Sequence, residues 1–198
     1  KNVDTGMGLD RTVATLQGVE SVYDTDAFTG ILAAIARLSG RRYGDDAGTT
    51  RAFRIVADHI RSATFLLGDR RPVTPSNVDQ GYILRRLIRR AIRYAMQLGI
   101  PEGALHEVAE AVVDQYGDFY HELAEYRSTI VSELNKEEMR FASALKKGMR
   151  EFDRLRERLT DGRIDGPSAF HLYDTFGFPI EFTKELAAEN GLTVDEAG

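Results

Sequence analysis

The sequence predicts a mainly α protein. Apolar residues recur at helical spacing along most of its 198 residues, only 5 prolines interrupt them, and no series of alternating apolar and polar residues marks out a set of strands. Only the few residues before Gly6 read as strand. There is no internal repeat and no low-complexity tract.

Each element has its own local signals. Residues 9–16 start a short helix after a glycine loop. Residues 26–38 (DAFTGILAAIARL) form a second, with Asp26 at the start and Gly40 after the end. Residues 50–67 place Phe53, Val56, Ala57, Ile60, Ala63, Thr64 and Leu67 on one face before Gly68. Residues 68–77 (GDRRPVTPSN) are a loop of prolines and turn formers. Ser76 or Asn77 then caps a helix running to Leu98, closed by Gly99 and Pro101. Residues 104–116 read as helix. Residues 122–159 read as one long helix with an apolar stripe of Leu123, Ile130, Leu134, Phe141, Leu145, Phe152, Leu155 and Leu159. Gly148 is its weak spot, costing about 1 kcal/mol relative to alanine. Residues 161–167 are a turn, 168–176 a short helix and 180–190 a last helix.

Composition limits the functional classes. A hydrophobic content of 42% and a charged content of 29% suit a globular domain with a substantial core. No run of about 18 apolar residues predicts a membrane span. The absence of cysteine excludes disulfides and thiolate metal sites and suits the cytoplasm. Lys1 is followed by polar residues, so the chain starts with neither an initiator methionine nor a signal peptide. The net charge of −5 argues against indiscriminate nucleic-acid binding but leaves room for a local basic patch.

Such a patch lies in GYILRRLIRRAIRY, from Gly81 to Tyr94. At 100° per residue, Leu84, Leu87, Ile88, Ala91 and Ala95 share one face. Arg85, Arg86, Arg89, Arg90 and Arg93 share the other, with Tyr82. No carboxylate is interleaved, as an ordinary solvated face would have, and arginine rather than lysine suggests planar recognition of phosphate or carboxylate. Two readings follow: pairing with the acidic long helix, or tracking of a nucleic-acid backbone. Arg51, Arg54, Arg61, Arg70 and Arg71 extend the basic region. Asn77 and Asp174 are small polar groups able to read base edges. Taken alone, each is better explained as a cap or turn residue.

The other constellations are weaker. Asp58, His59 and Arg61 (ADHIR) lie within one helical turn, but no histidine follows His59 at i+4, so a zinc site has no support. A buried structural pair is the better reading of Asp58 and His59. The opening KNVDTGMGLDR is G-x-G-x-x-R rather than the dinucleotide fingerprint G-x-G-x-x-G. Its glycines allow close backbone approach to a ligand, and Arg11 is placed to hold phosphate.

Four segments in order, VDTGMGLDR, ADHIR, PSNVDQGYILRRLIRRAIR and AFHLYDTFGFPIEFT, resemble the alanyl-tRNA synthetases, which are class II aminoacyl-tRNA synthetases. The resemblance runs from residue 2 to residue 197. It implies ATP- and Mg²⁺-dependent activation of alanine, followed by its transfer to tRNA(Ala). VDTGMGLDR is similar to the third class II motif. The resemblance therefore implies that Arg11 holds the ATP phosphates, Asp4 meets the alanine amino group, and Gly6 and Gly8 shape the adenylate pocket. It divides the chain into a catalytic-domain edge, residues 1–23, and a helical tRNA-recognition domain, residues 24–198. In the latter, Asn77 and Asp174 correspond to readers of a G·U wobble pair in the acceptor stem. Arg85, Arg86, Arg89 and Arg90 correspond to a basic helix supporting that stem. A-form RNA is read mostly through shape, backbone and minor groove, so two short readers need such support.

Departures from the family pattern are small: Asp10 stands for a more usual Glu, Gln80 for Arg and Phe176 for Tyr. The first two class II motifs, the editing domain with its zinc site, and the oligomerisation region have no counterpart here. The expectation is a segment of a longer enzyme, inactive in alanylation by itself and without a metal site of its own. The alternative is a freestanding helical protein-interaction module that uses the long acidic helix.

Overall fold

The computed structural model describes residues 6–159 and 161–196. These are overwhelmingly helical. The chain divides into two compact units, Lys1–Asn135 and Lys136–Gly198.

The first unit contains α1 (Leu9–Gln17), a 3₁₀ turn (Val22–Asp24), α2 (Asp26–Ser39), α3 (Ala47–Leu67), α4 (Asp79–Leu98), α5 (Leu105–Tyr116), α6 (His121–Glu125) and the first part of α7 (Arg127–Arg158). The pair α3 and α4 has the most extensive packing, and α2 and α5 pack on α3 and on each other. Alanines let the helices approach closely: Ala52, Ala57 and Ala63 on α3 and Ala91 on α4 are fully buried. Phe28, Ile31, Ile35, Phe53, Ile60, Leu84, Ile88 and Val108 fill the remaining core. Each large apolar side chain contributes about 1.5–3 kcal/mol by burial.

α3 starts three residues before its predicted start. Asp46 is the reason: it accepts from the Thr49 amide at 2.8 Å and from the Thr49 hydroxyl at 2.6 Å, so the cap precedes the first apolar residue.

The predicted long helix over 122–159 is two helices. Tyr126 ends α6, and α7 begins at Arg127. Leu123 and Ile130 both crowd Gly68 at the end of α3; a Cβ on Gly68 would lie 2.7 Å from Leu123 and 3.0 Å from Ile130. Residues seven apart in a straight helix are separated by about 10.5 Å along its axis. The break lets both reach one point.

The second unit contains the rest of α7, β1 (Arg163–Ile164), α8 (Gly166–Phe176), α9 (Ile180–Glu189) and β2 (Thr193–Val194). β1 and β2 pair in parallel, with Arg163 opposite Thr193 and Ile164 opposite Val194. Neither strand was expected, because two residues are too few to carry a periodicity. The predicted strand before Gly6 lies outside the described residues. Asp165 caps α8 by accepting from the Ser168 amide at 2.8 Å. The core is aromatic: Phe178 packs against Phe141, Phe176 and Phe182 at centroid distances of 6.3, 6.5 and 4.5 Å. Gly148 belongs to this packing. A Cβ there would lie 2.5 Å from the Phe178 ring, so the apparent weak spot of α7 is where a ring needs the space.

Candidate nucleic-acid interface

The loop before α4 folds back over the first turn of that helix. The Ser76 amide donates to the Gly81 carbonyl at 3.0 Å, and the Ser76 hydroxyl donates to the Val78 carbonyl at 2.9 Å. A side chain at position 81 would collide with the Ser76 side chain and the Thr74 carbonyl. The glycine is thus a condition for the loop's path. Asp79 sits at φ 49°, a left-handed conformation that costs a non-glycine residue of order 1 kcal/mol.

Neither Ser76 nor Asn77 is the cap predicted from sequence. Val78 occupies that position and makes no side-chain cap bond. The Asn77 side-chain oxygen instead accepts a hydrogen bond from Arg85 Nη1, and Arg85 Nη2 donates to the Pro75 carbonyl at 3.3 Å. One guanidinium therefore ties helix to loop while Asn77 remains exposed.

The five arginines of α4 are not an open solvated stripe. Arg85, Arg86, Arg89 and Arg90 are half-buried, Arg93 is 5% exposed, and each is engaged in contacts. Arg93 and Arg90 lie over the Tyr94 ring at 4.8 and 5.9 Å, and Arg86 over Tyr82 at 5.8 Å. Helical spacing assigns Arg93 to the outer face; in the structure it is buried against the ring of Tyr94. Outside α4, Arg54 donates to the Tyr43 hydroxyl at 2.7 Å.

His59, 8% exposed on α3, connects to this region. Arg90 Nη1 lies 3.2 Å from His59 Nε2, and His59 Nδ1 lies 3.1 Å from Asp58 Oδ2. Arginine has only donors, so Nε2 accepts and the proton sits on Nδ1, facing Asp58. The His59 hydrogen bond is the main reason that the Asp58 carboxyl titrates below its usual range, with burial opposing it. The pair is partly buried and hydrogen-bonded, with Asp58 the more exposed member.

Gly8 is the residue before α1, and the Arg11 guanidinium lies beside it. A Cβ on Gly8 would be 3.2 Å from Arg11 Nε. The two are brought together at a helix N-terminus, where anions are favoured, and Arg11 is exposed. This arrangement suits a phosphate oxygen. Gly6 is exposed, and Asp4 lies outside the described residues. Among the described residues, no group of three or more acidic or histidine side chains converges as a metal site would require.

Arg61 was read from sequence as part of the basic region. It is instead committed to Asp10, with Nη2 to Oδ2 at 2.7 Å and Nη1 to Oδ1 at 3.2 Å, and it lies 4.1 Å over the Phe28 ring. The pair joins α1 to α3 beside a groove of about 680 Å³ lined by Leu9, Val13, Phe65, Tyr116 and Tyr120. Sequence reasoning missed it because the partners are 51 residues apart.

Asp174 lies in the second unit, in the last turn of α8, and is exposed. It is not a cap: Asp165 caps the start of that helix and Gly177 follows its end. A carboxylate there opposes the helix dipole, so helix stability does not explain its presence.

The sequence pattern described as tRNA synthetases class II (A) matches residues 1–198. The alanine–tRNA ligase of Treponema pallidum (strain Nichols) is 52% identical over 199 residues, covering 99% of this chain and 33% of that protein. The chain belongs to the class II alanyl-tRNA synthetase family. The alanine–tRNA ligases of Borrelia hermsii and Geobacillus kaustophilus are 49% and 44% identical, each match covering all of this chain. The chain spans about a third of the spirochaete synthetases and 22% of the Geobacillus one. Among the described residues, no helix is long and apolar enough to cross a membrane.

Proposed function

We propose that this chain is the part of an alanine–tRNA ligase that receives the acceptor stem of tRNA(Ala) and senses its G·U wobble pair, acting in the cytoplasm. In this reading residues 24–198 are the recognition domain, and residues 1–23 are the edge of a class II catalytic domain. Asn77 and Asp174 are the readers. Arg85, Arg86, Arg89 and Arg90 belong to the basic helix α4, which supports the stem. The observation that carries the reading is the state of the two readers. Both are exposed, neither caps a helix, and Asn77 is held by an arginine of the basic helix. Wobble pairing displaces both bases and changes the groups that each groove presents, so a positioned donor and a carboxylate acceptor can distinguish it.

Arg11, beside Gly8 at the start of α1, holds the phosphates of ATP. Asp4 accepts from the ammonium of alanine, and Gly6 and Gly8 leave room for the adenylate. The alanine carboxylate attacks the α-phosphorus of ATP and displaces pyrophosphate, and the alanyl group of the resulting adenylate then passes to the 3′ end of the tRNA with release of AMP. Mg²⁺ assists in the complete enzyme. The remaining walls of that pocket belong to the rest of the synthetase, so this chain by itself does not form alanyl-adenylate.

Gel-shift titration against acceptor minihelices with the wobble pair or a G·C pair tests the reading. The expected result is salt-dependent binding that favours the wobble pair, with the preference lost in Asn77→Ala and Asp174→Ala. Equal affinity for both RNAs, insensitive to either substitution, overturns the assignment.

A further inference from the structure

We infer that Arg85 acts on RNA indirectly: it is a positioning residue that turns the Asn77 amide so that Asn77 presents hydrogen-bond donors to an acceptor on the bound base pair. This rests on the reading of Asn77 as a reader and assigns Arg85 a role distinct from that of its helix neighbours.

The geometry carries the argument. Arg85 Nη1 donates to Asn77 Oδ1 and Nη2 donates to the Pro75 carbonyl, so the guanidinium is directed at the loop. A guanidinium has no acceptor, so the Asn77 amide meets it through oxygen alone. A flip would place an NH₂ group against a cation and lose a charge-assisted bond. With Oδ1 occupied, the outward-facing group is Nδ2 with its two protons, on an exposed residue. Asn77 therefore reads a carbonyl oxygen, ring nitrogen or ribose hydroxyl, rather than an exocyclic amine. The backbone supports the same orientation. Gly81 lets Thr74 and Ser76 lie on α4, and Asp79 holds a left-handed turn immediately after Asn77 and Val78.

A phosphate-contacting arginine and a positioning arginine leave different signatures. Loss of a phosphate contact weakens binding to all sequences and lowers the salt slope by about one. Loss of a positioning contact removes discrimination.

The experiment measures anisotropy of labelled wobble-pair and G·C minihelices over a salt series. It compares the unsubstituted chain with Arg85→Ala, Arg85→Lys, Asn77→Ala, the Arg85→Ala/Asn77→Ala double variant and Arg86→Ala. A wild-type preference of about tenfold is expected to fall to near onefold in Arg85→Ala, as in Asn77→Ala, with no further loss in the double variant. Arg85→Lys, which keeps the charge but not the fork, loses part of the preference. Arg86→Ala weakens both RNAs equally. In the free chain, the Asn77 side-chain amide resonances shift in Arg85→Ala and Arg85→Lys. A uniform loss with a shallower salt slope in Arg85→Ala, or an unchanged preference, overturns the inference alone. A wild-type chain without any preference refutes the reader assignment and the inference with it, and is recognised before any variant is made.

Discussion

Arg61 and Asp10 form a two-pronged ion pair across 51 residues of sequence, with oxygen–nitrogen distances of 2.7 and 3.2 Å. The pair anchors α1, which carries Arg11, to the central helix α3. Arg61 is also stacked on Phe28 and is only 18% exposed, so its charge is largely shielded from water. Arg61→Lys keeps a cation but loses the planar fork and the stacking. It is expected to destabilise the first unit by about 1–2 kcal/mol. Urea unfolding with unchanged m-value measures this, and the double variant with Asp10→Ala should fall short of the sum of the single effects.

Gly148→Ala is expected to destabilise the second unit, although alanine is the better helix former by about 1 kcal/mol. The added Cβ would meet Phe178 at 2.5 and 2.6 Å, and displacing a buried ring costs about 1–3 kcal/mol. A rise in thermal midpoint on this substitution would refute the packing argument. Shortening the obstacle with Phe178→Leu should reduce the penalty.

Gly81→Ala should push the 74–77 loop off α4, because the new methyl meets the Thr74 carbonyl at 2.5 Å as well as the Ser76 side chain. The expected cost is about 1–3 kcal/mol, read from thermal melting. Backbone resonance shifts should be concentrated at residues 74–79 rather than spread through α3 and α4.

Acid should weaken the fold through its helix caps. Asp46 and Asp165 both titrate below the ordinary aspartate range, chiefly through side-chain hydrogen bonds from Thr49 and Ser168. A carboxyl depressed in the folded state contributes stability above its unfolded pKa of about 3.9, and loses it as pH falls through the folded value. The thermal midpoint should therefore drop between about pH 5 and pH 3. In the Asp46→Asn/Asp165→Asn double variant that slope should be shallower, since asparagine still caps but does not titrate.

Helix order was legible in the sequence, and so was every helix except the division at Tyr126, because apolar spacing and the glycines at Gly40, Gly99 and Gly191 are local signals. The arginines of α4 were legible as a cluster, but their burial was not. Periodicity assigned Arg93 to the face opposite Leu84, whereas the ring of Tyr94 covers it. The break at Tyr126 was hidden because Leu123 and Ile130 keep helical phase across it, and only their common contact at Gly68 requires the kink. Asn77 looked like a cap because Ser-Asn before a helix often is one.

By itself, the sequence determined the mainly α class, the family and the position of the basic helix, all of which reside in local spacing or in residue order; the candidate readers Asn77 and Asp174 came from the family resemblance alone. Tertiary structure alone decided which of these groups are committed elsewhere. It turned Arg61 to Asp10, bound Arg90 to His59, made Gly148 a seat for Phe178, and directed Arg85 to Asn77. The physical reason is that a guanidinium or a ring takes its role from the partner within about 3–4 Å. For Arg61, Arg90 and Gly148 that partner is 30 or more residues away, and for Arg85 it is in a loop whose path depends on Gly81.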